Sequence, residues 1–310
     1  MAEHDWIARY FAPLASAGGA AGLSDDVAEL TQTADAPQVV TVDALVEGVH
    51  FLPDDPLESV ARKLVRVNVS DILSAGALPA EALLTLGWPE GRPEGELKAF
   101  ADALGQELSA WDIALLGGDT VRSPAGLFLS LTLTGKCLAD APVRRSGARA
   151  GDDIWMTGEI GAARRGFEAL SGEDDRPKLA YREPQLPRRE AAMLVAHHAS
   201  AAMDVSDGLL GDLAKMAAAS GVRAHVGLES VPFSGGAADL AAMLDLATWG
   251  DDYQLLFAAG ADKRLILQEE SAVSGVAITR IGSMTSGEGL LATLHGTEIN
   301  LPETLGFEHG

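Results

Sequence analysis

The chain has 310 residues, of which 47% are hydrophobic, and 45 acidic side chains against 23 basic ones give a formal net charge of -22. This length accommodates two ordinary domains, and the acidic balance disfavours nucleic acid and anionic membranes while suiting a protein that binds cations. The single cysteine, Cys137, excludes an intramolecular disulfide and a cysteine-rich metal site. Because neither a leader pattern nor an apolar run of membrane-spanning length occurs, we expect a cytoplasmic protein.

The amino-terminal region predicts a short amphipathic helix over residues 5–14, followed by a loop of small residues over 16–24. This loop leads directly into Asp25 and Asp26. It is either a surface linker or a mobile flap that carries a metal-binding carboxylate.

The next stretch predicts a short buried strand, because Val39, Val40 and Val42 are β-branched. The strand would deliver Asp43 to its end, with His50 a few residues further on. Two interpretations stay open at this point: an acid held rigidly for function, or a strand that ends in an ordinary polar turn.

Residues 57–75 have the apolar spacing of a helix, with Arg62, Lys63 and Arg66 on its charged side. Asn68 and Asp71 lie three residues apart and therefore on one face of this helix. A buried carboxylate at this position is costly unless a divalent cation or an arginine compensates it.

A strand over 81–88 and a helix over 93–110 follow, and a second acid then repeats the earlier pattern. A short strand from residue 113 is predicted to break in a tight turn at Gly117 and Gly118, immediately before Asp119. With a further strand over 127–135, this alternation predicts an α/β or α+β domain. We place the domain boundary between residues 138 and 139, which gives domains of 1–138 and 139–310.

The second half begins with three nearby arginines, Arg144, Arg145 and Arg149, which either clamp phosphates or lie in a solvated loop. Helices are predicted over 161–170 and 187–198, separated by a polar segment. A third acidic group, Asp204 with Ser206 and Asp207, precedes another helix, whose free N–H groups would suit phosphate.

Six aspartates therefore sit at strand ends, turns or helix ends, and such a cluster would repel itself unless cations were bound. Carboxylate oxygens without histidine or cysteine clusters favour Mg²⁺, which usually completes its coordination with substrate phosphates. Neither a Walker motif nor G-x-G-x-x-G occurs, so metals, backbone and arginine would have to hold the phosphates. The six acids are Asp26, Asp43, Asp71, Asp119, Asp204 and Asp207.

Seven short motifs, taken in order and spacing, closely resemble the thiamine-monophosphate kinase family over almost the whole chain. They are Asp25-Asp26, Thr41-Val-Asp43 with Glu47-Gly-Val-His-Phe51, Asn68-Val-Ser-Asp71, Gly117-Gly-Asp-Thr120, Arg145-Ser-Gly-Ala-Arg-Ala-Gly-Asp152, Asp204-Val-Ser-Asp-Gly208 and Gly250-Asp-Asp-Tyr253. The resemblance implies the fold of aminoimidazole ribonucleotide synthetase: an N-terminal α/β domain that dimerises through its sheet, and a C-terminal α+β domain. It also implies transfer of phosphate from ATP to thiamine monophosphate.

The resemblance further implies roles for individual residues. Mg²⁺ ligands would be Asp26, Thr41, Val42 through its backbone, Asp43, Asp71, Asp119, Asp204 and Asp207. ATP contacts would be Gly118, Asp119, Arg145 and Ser206, and substrate contacts would be His50, Asp251 and Phe307. The chain departs from the family where Gly22-Leu-Ser24 replaces Gly-Ile-Gly, where Val42 replaces a hydroxyl residue, and where Trp249-Gly-Asp-Asp252 replaces Gly-Gly-Glu-Asp.

The mechanism implied is a direct in-line attack by the substrate phosphate on the γ-phosphorus of ATP, aided by several Mg²⁺ ions and without a side-chain nucleophile. Two alternatives remain: another ATP-using enzyme of the same fold, or a non-catalytic acidic protein that binds divalent cations or nucleotides.

Overall fold

The computed structural model describes residues 25–30 and 37–308. The helix predicted over residues 5–14 and the loop predicted over 16–24 lie outside this part of the chain. The described residues form two β-sheets of five and seven strands, with helices packed on and between them.

The first sheet has the strand order β1-β2-β5-β3-β4. Only the β3–β4 pair is parallel, and the other neighbours are antiparallel. Its leucines at alternate positions of β5 are fully buried, as expected for a sheet covered on one face. Its strands are β1 (Ala28–Leu30), β2 (Gln38–Val46), β3 (Ala77–Pro89), β4 (Ala114–Ser123) and β5 (Phe128–Cys137).

Two helices, α1 (Leu57–Ser74) and α2 (Glu94–Ala110), belong to this half of the chain. Helix α1 contacts strands of both sheets, so it is buried on nearly every side. Its buried positions therefore include polar residues such as Lys63, Asn68 and Asp71, beside a continuous apolar surface. The core around α1 includes Trp155 and Phe257 from the second sheet, which joins the two halves.

The second sheet has the order β12-β11-β8-β10-β6-β9-β7, and only the β8–β11 pair is parallel. A separate core forms between this sheet and α6, centred on fully buried residues such as Leu210, Leu213 and Met216. Its strands are β6 (Asp152–Thr157), β7 (Ala199–Asp204), β8 (Arg223–Gly227), β9 (Leu255–Gly260), β10 (Ile278–Thr285), β11 (Gly289–Leu294) and β12 (Thr297–Glu298). The helices of this half are α3 (Ala162–Glu168), α4 (Asp175–Arg182), α5 (Ala191–His198), α6 (Leu209–Ser220), α7 (Leu240–Trp249) and α8 (Arg264–Ser274).

Three local expectations from the sequence are wrong. Strand β2 continues beyond Asp43, so this aspartate lies within a strand and not at its end. Strand β4 runs through Gly117 and Gly118 without a tight turn: both glycines pair with β3, opposite Leu83 and Leu84, and the register shift falls just before them. The polar segment between the two predicted helices contains α4, whose first turn is capped by the Asp174 side chain, which accepts a hydrogen bond from the N–H of Arg176.

In residues 25–30 and 37–308, no helix combines the length and apolar character needed to cross a bilayer. The boundary between residues 138 and 139 stays a prediction. Strand β5 ends the first sheet at Cys137, and β6 begins the second sheet at Asp152.

Candidate phosphate and metal site

Three carboxylates from distant parts of the chain converge at the junction of the two halves. Asp26 precedes β1, Asp71 lies in the last turn of α1, and Asp204 ends β7. One oxygen from each lies within 4.8 Å of the others. Asp71 and Asp204 are buried and Asp26 is nearly so, which makes this cluster unlike a solvated acidic surface.

Strand β2 supports the cluster through two hydrogen bonds. The Thr41 hydroxyl donates to Asp71 Oδ2 at 2.6 Å, and the backbone N–H of Asp43 donates to Asn68 Oδ1 at 3.0 Å. Asn68 is oriented in turn, because its side-chain amide donates to the Leu64 carbonyl at 2.9 Å. The shared face of Asn68 and Asp71 that the helical spacing predicts therefore joins α1 to β2.

The electrostatics of the cluster favour an added cation. Burial, followed by repulsion from neighbouring aspartates, raises the pKa of Asp71 and of Asp204 well above the ordinary value. The same causes raise the pKa of Asp43 to about 6. The Oδ2 atoms of Asp26 and Asp204 are buried and accept no hydrogen bond from the described residues. These oxygens have the chemistry of ligands for a hard divalent cation.

Two basic side chains pair with acids at the edge of the cluster. Arg145 forms an ion pair with Asp26, and its backbone N–H donates to Asp25 Oδ1 at 3.2 Å. Lys215 of α6 pairs with Asp207 and, at 2.9 Å, with Asp212. Arg145 thus contacts an acid of the cluster itself, whereas Lys215 contacts it only through Asp207, which lines the same cavity.

A buried carboxylate binds two backbone N–H groups of the loop just before α6. The Asp212 carboxylate is fully buried and accepts hydrogen bonds from the N–H groups of Asp207 and Gly208, at 3.1 and 3.2 Å. Burial raises the pKa of Asp212 to about 6, although Lys215 opposes this effect. Asp212 was missed in the sequence, where its position inside a helix gave no indication of a cap.

A cavity of about 550 Å³ opens from the cluster. It is lined by most of the residues that the sequence and the resemblance single out, namely Asp26, Thr41, Val42, Asp43, His50, Asp71, Asp204, Ser206, Asp207, Asp251 and Phe307. The Val42 side chain is apolar and 61% exposed, so only its backbone could serve as a ligand. Arg145 reaches the site through its pair with Asp26.

Gly118 and Asp119 do not join this group within the chain. Both lie on β4, an edge strand that is exposed along almost its whole length, and neither lines the cavity. Their assigned contacts with ATP and Mg²⁺ therefore stay predictions.

A buried lysine organises the part of the cavity that contains Asp251. Lys63 Nζ lies 2.5 Å from Asp251 Oδ2 and donates to the His50 carbonyl at 3.1 Å. The His50 ring is fixed as well, because its Nδ1 accepts a hydrogen bond from the Val46 N–H at 3.0 Å, which leaves its proton on Nε2 when the ring is neutral. The sequence prediction that Lys63 lies on a charged outer side of α1 is wrong, since the residue is only 2% exposed.

The loop that carries Asp251 is held in a restricted conformation. Asp251 and Tyr253 have positive φ angles of 64° and 51°. Their N–H groups donate to the Ser206 and Val205 carbonyls at 2.7 and 2.8 Å, which ties this loop to the acidic motif at residues 204–207. The loop around Asp251, predicted to contact the acceptor, and the acidic motif at residues 204–207, predicted to bind phosphate, therefore lie side by side and hydrogen-bond to each other.

Comparison with known proteins gives consistent results for both halves. Residues 24–137 match the family model for AIR synthase related protein, N-terminal domain, and residues 149–294 match the model for its C-terminal domain. The thiamine-monophosphate kinase of Caulobacter vibrioides is 37% identical over 321 residues, covering 99% of this chain and 91% of that protein.

Two solved structures are similar over most of the chain. The structure described as AaThiL complexed with AMPPCP and TMP has a TM-score of 0.85 at 27% identity, covering 100% of this chain and 97% of that one. Thiamine-monophosphate kinase from Stenotrophomonas maltophilia K279a has a TM-score of 0.74 at 34% identity, covering 88% and 92%. The predicted fold class, with two domains like those of aminoimidazole ribonucleotide synthetase, is confirmed.

Proposed function

The chain belongs to the thiamine-monophosphate kinase family, and from this membership and the acidic site we propose that it phosphorylates thiamine monophosphate with ATP, giving thiamine diphosphate and ADP. The observation that carries the assignment to this site is the convergence of Asp26, Asp71 and Asp204 within 4.8 Å at the base of a cavity. Such a cluster suits divalent cations, which can neutralise two phosphate groups that must be brought together despite their charge.

The reaction needs no covalent intermediate on the protein. A terminal oxygen of the thiamine monophosphate phosphate forms a bond to the γ-phosphorus of ATP while the bond from that phosphorus to the β,γ-bridging oxygen breaks, and ADP leaves. The attacking oxygen is already anionic, so no strong general base is required. The contribution of the protein is alignment of the two phosphates and stabilisation of their charge.

The donor set fits Mg²⁺, the cation that we propose for this site. Asp26, Asp71 and Asp204 would hold it, with Thr41, the Val42 backbone, Asp43, Asp207 and Asp119 as the further ligands that the family resemblance implies. When bound, Mg²⁺ supplies charge neutralisation and a fixed orientation to the phosphate oxygens. The buried Oδ2 atoms without a hydrogen-bond donor among the described residues support this assignment.

Other residues of the chain divide between the two substrates. We propose that Arg145 and Ser206 contact the ATP phosphates; the pair of Arg145 with Asp26 and the position of Ser206 in the cavity lining support this assignment. His50, Asp251 and Phe307 are proposed to contact thiamine monophosphate. His50 orients the acceptor and does not remove a proton, because the nucleophile carries none that must leave.

A homodimer would explain the position of Gly118 and Asp119, which we propose act in the site of a second copy. The exposed surface of the first sheet contains apolar side chains that are unusual for water contact, namely Val42, Leu83, Leu115, Leu116, Val121 and Phe128. The strong negative charge also agrees with a cytoplasmic protein that binds neither nucleic acid nor an anionic membrane.

Mixing two inactive variants tests the shared site. Asp71→Asn and Asp119→Asn chains, unfolded and refolded together, should recover roughly a quarter of wild-type activity, because half of the random dimers would then contain one intact site. Each variant refolded alone should stay inactive. An absence of recovery in a mixture that is shown to be dimeric would place both residues of a working site in one chain.

The proposed reaction itself is tested by product analysis with ATP, Mg²⁺ and thiamine monophosphate. We expect one thiamine diphosphate for each ADP formed, and no ADP when the acceptor is left out. Turnover of a different acceptor, with none of thiamine monophosphate, would overturn the proposal and favour another ATP-using enzyme of this fold.

A further inference from the structure

Three aromatic side chains that the sequence reasoning did not assign to the substrate line the same cavity as the acids: Phe167, Tyr181 and Trp249. They come from α3, α4 and the last residue of α7. The Phe167 ring centroid lies 5.1 Å from that of Trp249 and 5.3 Å from that of Tyr181, the latter in an edge-to-face arrangement. We call these three residues the aromatic wall.

The wall is held in place before any ligand binds. The Arg164 guanidinium lies 4.3 Å from the centre of the Trp249 ring and is itself fixed by Asp245 at 2.9 Å. Lys63 Nζ lies 4.6 Å from the centre of the Tyr181 ring. Rings fixed in this way lose little freedom when a flat ligand stacks on them.

The distance from the wall to the acid cluster can be read along α1. Lys63, Val67 and Asp71 follow one another at a spacing of four residues, and each faces the site or lines it. Eight residues of α-helix span roughly 12 Å. The Tyr181 ring beside Lys63 therefore lies about one extended thiamine monophosphate molecule away from the carboxylates around Asp71.

The charges of the site decide which part of the acceptor reaches the wall. The phosphate must lie at the acid cluster, and the thiazolium ring is joined to it by a short chain, so the aminopyrimidine is the far end of the molecule. This ring is neutral, whereas the thiazolium is cationic and would meet Arg164 and Lys63 as like charges. Both connectivity and charge thus favour the aminopyrimidine.

We propose that the aromatic wall binds the aminopyrimidine ring of the acceptor and that Trp249 is a specificity-determining residue, an inference that rests on the proposed kinase function. Stacking on the wall selects an acceptor with a flat ring at this distance from its phosphate. It contributes to binding of the acceptor and not to binding of ATP.

Steady-state kinetics of Trp249→Leu with two acceptors test this proposal. The second acceptor is an analogue in which a methyl group replaces the aminopyrimidinylmethyl group on the thiazolium nitrogen. Trp249→Leu should raise KM for thiamine monophosphate roughly tenfold, the effect of losing one stacking surface. It should leave KM for ATP and the kinetics of the analogue unchanged, since the analogue has no ring for the wall.

Two further variants complete the design. Trp111→Leu removes an aromatic ring that contacts Arg189 outside the cavity, and it should leave both acceptors unaffected. Phe167→Leu keeps apolar bulk within the wall and should repeat the selective loss, which guards against a folding defect peculiar to position 249.

The results distinguish a failure of the proposed role of the aromatic wall from a failure of the proposed kinase function. Equal losses for both acceptors, or no loss for either, in folded Trp249→Leu and Phe167→Leu would overturn the role of the wall while the kinase function stands. If the unaltered protein forms no thiamine diphosphate, the proposed function fails and the wall proposal falls with it.

Discussion

Asp71 places a negative charge where the fold alone would not favour one. Its carboxylate is buried in α1, and its pKa is raised by burial and by the neighbouring Asp43, Asp204 and Asp26. A group of this kind lowers the stability of the metal-free protein, and the proposed cation site accounts for its presence.

The substitution Asp71→Asn should therefore separate stability from activity. Asparagine can still accept the Thr41 hydrogen bond but carries no charge, so the metal-free variant should unfold with a free energy about 1 kcal/mol higher than wild type. Turnover should fall at least a hundredfold, an order typical of losing one electrostatic contact in the transition state.

Urea unfolding and steady-state turnover check both halves of this prediction. Asp140→Asn, at an exposed position, serves as the matched control and should change neither quantity. Near-normal turnover by Asp71→Asn would remove the acid cluster from the mechanism.

Lys63 provides a second prediction about a single residue. Lys63→Met removes the counter-ion of Asp251, so this carboxylate loses the partner that holds it toward the cavity. We expect KM for thiamine monophosphate to rise roughly tenfold, consistent with loss of a charge-assisted hydrogen bond, with a smaller change in kcat.

The effect of the Lys63 charge is distinguished from that of its bulk by the kinetics of three variants, Lys63→Met, Lys63→Arg and Lys98→Met. Arginine keeps the charge and should recover part of the affinity, while Lys98 is an exposed lysine of α2 paired with Asp102 and should have no effect. Equal KM values for the methionine variant and wild type would show that Asp251 does not depend on Lys63.

At the scale of elements, the start of α3 depends on a single buried carboxylate. Asp252 Oδ2 accepts a hydrogen bond from the Gly161 N–H at 2.7 Å, and Oδ1 accepts one from the Ala163 N–H at 3.2 Å. Burial nevertheless raises the pKa of Asp252 to about 7. The helix that carries Phe167 is thus anchored by a group that titrates near neutral pH.

The raised pKa of Asp252 predicts that the stability of the protein falls as the pH rises. Because the pKa is higher in the folded state, folded Asp252 keeps its proton between about pH 4 and pH 7 while the unfolded chain releases it. Wild type should therefore lose up to about 1.4 kcal/mol of stability per pH unit across this window relative to Asp252→Asn. Denaturant unfolding of both proteins measures this difference, and a constant difference across the window would contradict it.

The cost of an alanine side chain at Gly118 can be compared with the cost at Gly117, its neighbour on β4. A Cβ at Gly118 would lie 1.9 Å from the Leu84 carbonyl oxygen, whereas one at Gly117 would meet nothing within 4 Å. Both residues have positive φ angles, of 157° and 154°, so the backbone cost of alanine is similar.

Gly118→Ala should consequently destabilise the protein by about 3 kcal/mol or more, and Gly117→Ala by about 1 kcal/mol. Thermal unfolding of the pair checks this prediction. Equal destabilisation would mean that the close approach of β4 to β3 is unimportant.

These elements also show what local patterns could and could not predict. The range of α1 follows from its apolar spacing, and the structure confirms it to within a residue. The burial of Lys63 could not be predicted, because a helical wheel assumes one buried face and α1 is covered by both sheets. Helix α4 spans only eight residues, four of them charged, so an apolar pattern was hard to see there, and the capping residue Asp174 was its clearest local indication.

For the molecule as a whole, the motifs predicted which acids belong to one site, but only the tertiary fold brings Asp26, Asp71 and Asp204 together. The position of Asp119 depends on a surface that one chain leaves exposed. A sequence read as a single chain cannot say whether such a residue completes its own site or that of a second copy.

The raised pKa values of the acid cluster predict that Mg²⁺ changes the stability of the whole protein. The raised pKa values of Asp43, Asp71 and Asp204 mean that their protonated forms stabilise the metal-free fold at low pH. The contribution of Asp43 is lost as the pH rises through about 6, and those of Asp71 and Asp204 are lost as the pH rises through their own raised pKa values. Mg²⁺ replaces these protons, so it should stabilise the protein more at pH 8 than at pH 5.

Thermal unfolding with 10 mM MgCl₂ should raise Tm by about 5 °C at pH 8 and by less than half of that at pH 5. Sodium chloride at equal ionic strength controls for screening of the net charge of -22. An equal rise at both pH values, or one reproduced by sodium chloride, would contradict specific binding at the cluster.

The stereochemical course at phosphorus tests most directly whether the phosphate passes in a single direct transfer between two phosphates held at the acid cluster. ATP made chiral at the γ-phosphorus with oxygen isotopes is converted with thiamine monophosphate, and the configuration of the transferred group is determined. One in-line transfer predicts inversion. Retention would require an even number of transfers, and therefore a phosphorylated protein intermediate, which would contradict a direct transfer.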